Sequence, residues 1–154
     1  MAREIERKFL LCNEDWRGLA PGRVYVQGYL ACCGACSVRV RIADNTASLN
    51  IKSATTGLSR DEFEYEIPIQ DARQMLTTLT RKPLIEKTRY PVAYKGFCWE
   101  IDEFHGENQG LIVAEIELEH EDQVFAKPGW LGEEVTGDPR YYNVNLAHMP
   151  YRKW

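Results

Sequence analysis

Hydrophobic and polar residues alternate with a period of two through most of this 154-residue chain, starting at Glu4-Ile5-Glu6-Arg7-Lys8-Phe9. Residues two apart on a strand share a face. The alternation therefore predicts a strand over 3–11 that points Glu4, Glu6 and Lys8 one way and Ile5 and Phe9 the other. The same spacing predicts strands over 24–30, 37–42, 47–53, 59–67, 84–92, 97–104 and 111–119, with Pro68 ending the fifth. Residues 70–80 switch to a helical period, with Ala72, Met75, Leu76 and Leu79 at i, i+3, i+4 and i+7. A short helix is expected over 121–126, stopped by Pro128 and Gly129, then a loop over 130–139 and a terminal helix over 141–148 before Pro150. No repeat, low-complexity tract or linker interrupts the series, so residues 1–154 are expected to form one domain. Most connections are short, which makes neighbouring strands antiparallel, and eight strands can close around a narrow interior. The expected class is α+β, mainly antiparallel β, as an eight-stranded closed barrel.

Sorting each strand by parity separates two faces. One carries Glu4, Glu6, Lys8, Tyr25, Gln27, Tyr29, Ser37, Arg39, Arg41, Asn50 and Lys52, then Glu62, Glu64, Lys87, Arg89, Glu100, Asp102, Glu115 and Glu117. The opposite face is apolar, with Val26, Val40, Leu49, Ile51, Trp99, Ile101 and Ile116 among its members; Arg7 and Glu86 are exceptions. A solvated polar face over an apolar core is the ordinary explanation for one such strand. Two features argue against it for the set. The apolar faces need cover, which the 70–80 helix and the terminal segments can supply from outside. The charges are also segregated, with basic residues dominating some strands and acids others. The pattern therefore predicts a barrel with a polar lumen and helices packed outside. An outer-membrane barrel shares that polarity, but needs lipid-facing bands and aromatic girdles, and helical segments break this strand series.

The net charge of −4 offers no electrostatic case for nucleic acid. No apolar run reaches membrane-spanning length and the first residues are charged rather than signal-like, so a cytoplasmic location is expected. Cys32, Cys33 and Cys36 crowd one loop around Gly34. The Cys33-x-x-Cys36 spacing has no second pair or histidine at zinc-ligand distance, and the thiols read as reduced bystanders. His105, His120 and His148 fall in loops or helix and read as surface or packing residues.

A ring of Arg and Lys is suited to a polyanion, because guanidinium forks grip phosphate oxygens bidentately and lysine adds point charge. Carboxylates in the same lumen would repel phosphate unless divalent cations lie between, and hard ions such as Mg²⁺ or Mn²⁺ favour carboxylate oxygens. The lumen therefore reads as a site for a polyphosphate with one or two metal ions. One ion would orient the phosphates and another activate water, while basic residues stabilise charge on the leaving phosphate. No glycine-rich phosphate loop is present. Tyr29 faces the lumen within reach of Lys8, and a lysine beside a phenol lowers its pKa. That makes Tyr29 a candidate base, with a wall tyrosine and a metal-bound hydroxide as the alternatives.

Glu4-x-Glu6-x-Lys8 resembles the E-x-E-x-K signature of the CYTH superfamily, the triphosphate tunnel metalloenzymes. Arg39-x-Arg41, Lys52, Glu62-x-Glu64, Lys87-x-Arg89, Asp102 and Glu115-x-Glu117 follow in that family's order. So do the phrases QGYL at 27–30, GLSRDEFEYEI at 57–67, EKTRY at 86–90 and EEVTGDPRYYN at 133–143. The resemblance covers essentially the whole chain. It implies an eight-stranded antiparallel tunnel that binds a triphosphate and a divalent metal. Carried over residue by residue, it implies Glu4, Glu6, Glu115 and Glu117 as metal ligands, with Glu62, Glu64 and Asp102 as further acidic wall. It implies Lys8, Arg39, Arg41, Lys52, Lys87 and Arg89 as triphosphate ligands, and Tyr29 at the proton acceptor's position. The cysteine-rich ACCGAC loop at 31–36 departs from the pattern.

Within that resemblance the short chain, without an obvious base pocket, favours hydrolysis of inorganic tripolyphosphate. Tyr25, Tyr29 and Phe104 are the residues that could form a base pocket. The alternatives are a class IV-type adenylate cyclase and a non-catalytic polyphosphate- or nucleotide-binding module, which would not need the carboxylate pairs. The expected partner is a small triphosphate. Apolar surface left uncovered by helices leaves room for a homodimer.

Overall fold

A computed structural model describes residues 2–154. Its strands are β1 (Ala2–Leu11), β2 (Arg23–Cys32), β3 (Cys36–Ala43), β4 (Thr46–Ser53) and β5 (Ser59–Glu66), then β6 (Ile85–Tyr94), β7 (Phe97–Phe104), β8 (Ile112–Glu117) and β9 (Leu131–Glu134). Two α-helices accompany them, α1 (Ile69–Thr78) and α2 (Asn143–His148). The hydrogen-bonded order β5-β4-β3-β2-β6-β7-β8-β1 is closed by pairing of β1 with β5. Every pairing is antiparallel, as the short connections require. The eight-stranded closed barrel expected from the alternation is present.

The apolar parity faces outward and is covered by the chain itself. α1 lays Ala72 and Leu76 over Val40 and Ala47, with Val26, Ile42 and Leu49 around them. On the opposite side Trp16, from the 12–22 connection, and Trp130 join Phe9, Trp99, Ile101 and Ile116. Phe125 closes that layer, edge-on to Phe9 at 6.2 Å and to Trp99 at 5.6 Å. α2 covers a third region. Its fully buried Leu146 joins Tyr29, Ile85, Phe104 and Val113, residues of lumen parity at one end of their strands, and so shuts that end with an apolar floor.

Three boundaries differ from the sequence reading. Residues 121–126 form a turn followed by chain without regular structure instead of a helix. The last long strand stops at Glu117. The segment read as loop contains β9, which adds to the free edge of β1 through Phe9↔Glu134 and Leu11↔Leu131. β9 also accounts for Arg7, the charged exception on the apolar side. Its guanidinium meets both Glu134 oxygens at 2.7 and 2.6 Å and lies 5.0 Å from the Phe125 ring centre. Glu86, the other exception, is exposed.

Candidate functional site

Strand register brings the predicted charged residues to one lumen. Across β1 and β8, Lys8 lies opposite Glu115 and Glu6 opposite Glu117. Across β6 and β7, Arg89 lies opposite Asp102. Across β3 and β4, Arg39 faces Asn50; across β4 and β5, Lys52 faces Glu62 and Asn50 faces Glu64. A cavity of about 510 Å³ occupies the lumen, lined by Glu4, Glu6, Arg39, Arg41, Lys52, Arg60, Glu62, Glu64, Arg89, Glu100, Glu115 and Glu117. A smaller cavity of about 90 Å³ lies towards the start of α2, with Lys8, Tyr29, Thr136 and Tyr142 in its wall. Six residues line both: Glu4, Glu6, Arg39, Lys52, Arg60 and Asn143.

One sector is tightly paired. Asp102, fully buried, accepts from Lys87 Nζ at 2.6 Å and from Arg89 Nε and Nη2 at 2.7 and 2.8 Å. Arg89 Nη1 also reaches Glu100 at 2.5 Å. Lys8 Nζ lies 3.1 Å from Glu115 and donates to the Tyr141 carbonyl at 3.2 Å. Burial alone would raise the Glu115 carboxyl, but Lys8, Arg89 and Lys87 hold it well below the ordinary carboxylate range. Burial pulls Lys87 down to about 8 against the attraction of Asp102. With both its oxygens engaged, Asp102 is a counter-ion to Lys87 and Arg89 in this state. The Tyr25 ring stands among these cations, 5.2 Å from Arg41, 5.3 Å from Arg89 and 6.0 Å from Lys87.

The other sector is loosely paired. Arg41 meets Glu64 at 3.5 Å and Lys52 meets Glu62 at 3.8 Å. Arg39 is buried, and its Nε has no hydrogen-bond partner among the described residues. The Gln27 amide and Asn143 Oδ1 are likewise buried and unpartnered. Burial, then the Glu115 and Glu4 carboxylates, push Glu6 up to about 7. Burial and the neighbours Glu4, Glu100 and Glu62 raise Glu117. This sector holds a cation short of an anion and carboxylates short of a cation.

Sequence reading passed over Arg60. Its guanidinium donates from Nε to Glu4 Oε2 at 2.9 Å and stands 3.7 Å from Glu6. The signal was available: Arg60 lies within the strand expected over 59–67 and shares parity with Glu62 and Glu64, but the sequence reading starts that strand's lumen face at Glu62.

The donor set, carboxylates without histidine or thiolate, fits a hard divalent cation. Among the described residues no three carboxylates converge into a ready metal cage. Glu4 is held instead by Arg60 and by Lys52, whose Nζ is 3.0 Å from each of its oxygens. Cys33 and Cys36 lie 3.8 Å apart, Sγ to Sγ, on the exposed β2–β3 hairpin; the Cys32 side chain lies outside the described residues. All three histidines are exposed.

Comparison with known proteins points the same way. The CYTH domain family matches residues 2–144. An inorganic triphosphatase of Acetivibrio thermocellus is 50% identical over 154 residues, spanning 100% of this chain and 99% of that one. An inorganic triphosphatase of Nitrosomonas europaea is 37% identical over 152 residues, spanning 94% and 96%. A crystal structure of an inorganic triphosphatase shares the fold with a TM-score of 0.70 and 35% identity, spanning 96% of this chain and 95% of that one.

Proposed function

The chain belongs to the CYTH domain family, and from that premise we propose that it hydrolyses a small triphosphate, inorganic tripolyphosphate first, with Mg²⁺ or Mn²⁺ in the lumen. The observation that carries the reading is Arg39, a buried guanidinium without an anionic partner among the described residues, in a cavity that also crowds carboxylates together. A polyphosphate supplies the missing anion and a divalent ion the missing cation.

In this reading Arg39, Arg41 and Lys52 take phosphate oxygens from one wall, and Lys8, Lys87 and Arg89 present a fixed positive layer on the other. Asp102 keeps Lys87 and Arg89 aimed into the lumen. Glu4, Glu6, Glu115 and Glu117 hold the metal, with Glu62 and Glu64 at its margin. A divalent ion held there would supply Lewis-acid polarisation of a phosphoryl oxygen and acidify a bound water. The basic wall holds the charge that builds on the departing phosphate. Tyr29 shares the smaller cavity with Lys8, and in this reading it accepts the proton of an attacking water. The apolar floor under α2 ends the basic layer at Ile85 and Phe104, which suits a compact polyanion. Among the described residues no helix is long and apolar enough to cross a membrane, and a cytoplasmic site of action fits a free polyphosphate substrate.

The test is phosphate and cyclic-nucleotide release with Mg²⁺ or Mn²⁺ over tripolyphosphate, ATP, GTP, thiamine triphosphate and pyrophosphate. Fast release from tripolyphosphate with slow release from the nucleotides is the expected result. Cyclic AMP with pyrophosphate would replace this reading with the cyclase. Binding without turnover would replace it with a binding module.

A further inference from the structure

We propose that Arg60 stands in for the metal in the free protein: it neutralises Glu4 and Glu6 until a divalent cation displaces it, and its guanidinium then turns to the triphosphate. The inference rests on the metal-and-triphosphate reading above.

Register sets the arrangement, because β5 pairs with β1 so that Arg60 lies opposite Glu4. Arg60 contacts one Glu4 oxygen at 2.9 Å and Glu6 only at 3.7 Å, while Lys52 bridges both Glu4 oxygens at 3.0 Å. Glu4 therefore already carries two cations, and a divalent ion that joins it works against their charge unless one leaves. Arg60 has the fewer contacts to give up. Its side chain keeps 27% exposure against 2% for Lys87, so Arg60 has room to swing where Lys87 does not.

Its destination is equally constrained. Arg60 is one of the residues that line both cavities, beside Arg39. A guanidinium released from Glu4 stays on that wall. A cation bound at the Glu4 and Glu6 oxygens repels it over a few ångströms, and a phosphate oxygen offers it a charge-assisted partner. Arg60 thus opposes the metal and favours the triphosphate, which links the two binding events through one side chain.

That opposition of sign gives the test. Mn²⁺ alone is titrated into wild type, Arg60→Ala and Arg60→Lys by calorimetry, and then a non-hydrolysable imido analogue of tripolyphosphate is titrated at saturating Mn²⁺. Arg60→Ala should bind Mn²⁺ about tenfold more tightly and the analogue about tenfold more weakly, one charged hydrogen bond in each direction. Arg60→Lys, which keeps the charge, should restore both towards wild type. General damage to the site would weaken both. Thermal unfolding shows whether each variant folds, and Arg60→Gln serves if the alanine variant does not. Unchanged or weaker Mn²⁺ binding in the folded neutral variant overturns this inference alone. A wild-type protein that takes up no Mn²⁺ overturns the metal reading, and this inference with it.

Discussion

Two sectors of one lumen are built on opposite terms. Around β6, β7 and β8 the charges are satisfied by each other: Lys87 and Arg89 meet Asp102 within 2.8 Å, and Lys8 meets Glu115 at 3.1 Å. Around β3, β4 and β5 the pairs across those strands stretch to 3.5 and 3.8 Å, Lys52 and Arg60 turn instead to Glu4 of β1 at 3.0 and 2.9 Å, and the buried Arg39 Nε has no hydrogen-bond partner among the described residues. Both sectors come from the same alternating pattern, so the pattern alone does not divide them. Pairing does. The first sector completes itself on folding and keeps its cations fixed in place; the second leaves Arg39 without an anion among the described residues, and under the proposed function it is the part that triphosphate and metal would complete.

The sharpest way to break this contrast is at Asp102. Asp102→Ala leaves the buried Lys87 without its counter-ion and Arg89 with Glu100 as its close partner, and removing one partner of a buried pair costs about 3–5 kcal/mol. A clear drop in the chemical denaturation midpoint is expected; an unchanged midpoint would mean that the tight sector does not depend on internal pairing. Arg39→Ala should do the reverse. It removes a guanidinium with an unsatisfied atom, so stability holds while triphosphate binding weakens roughly ten- to hundredfold, the equivalent of one or two charged hydrogen bonds. Equal affinity in calorimetry would take β3 out of the site.

The smallest effect concerns pH. Glu6 stands at about 7 in the folded protein against an ordinary 4.5. Between those values the folded state holds a proton that the unfolded state has lost, so this group's contribution to stability falls as pH rises through the window. Without metal, Glu6→Gln should therefore melt slightly higher than wild type at pH 8 and alike at pH 4. Adding Mn²⁺ at pH 8 should raise the wild-type melting temperature and leave the variant nearly unmoved. A variant that gains as much from Mn²⁺ would remove Glu6 from the metal site.

The barrel was legible because period two is a local property of sequence. Parity also sorted lumen from exterior in advance, including Gln27 and Asn50, both now buried. β9 was not legible, since its four residues, Leu-Gly-Glu-Glu, carry no alternation and are ordered by the edge of β1. Gly132 is part of that fit: a Cβ there would stand 3.0 Å from the Leu10 carbonyl oxygen. The partition of ion pairs was also out of reach, because partner choice across a lumen depends on register and barrel tilt, which one strand's sequence does not encode. The floor under α2 escaped for a similar reason: Ile85, Phe104 and Val113 have lumen parity but lie beyond the charged layer, where Leu146 meets them.

The most direct test of the central claim is phosphate release from tripolyphosphate as Mn²⁺ is titrated from chelator upward, in wild type and in Glu4→Gln. Saturable metal dependence in wild type, abolished in a Glu4→Gln variant that still unfolds cooperatively, is the predicted result. Equal turnover in chelator, or full activity in the variant, would contradict it.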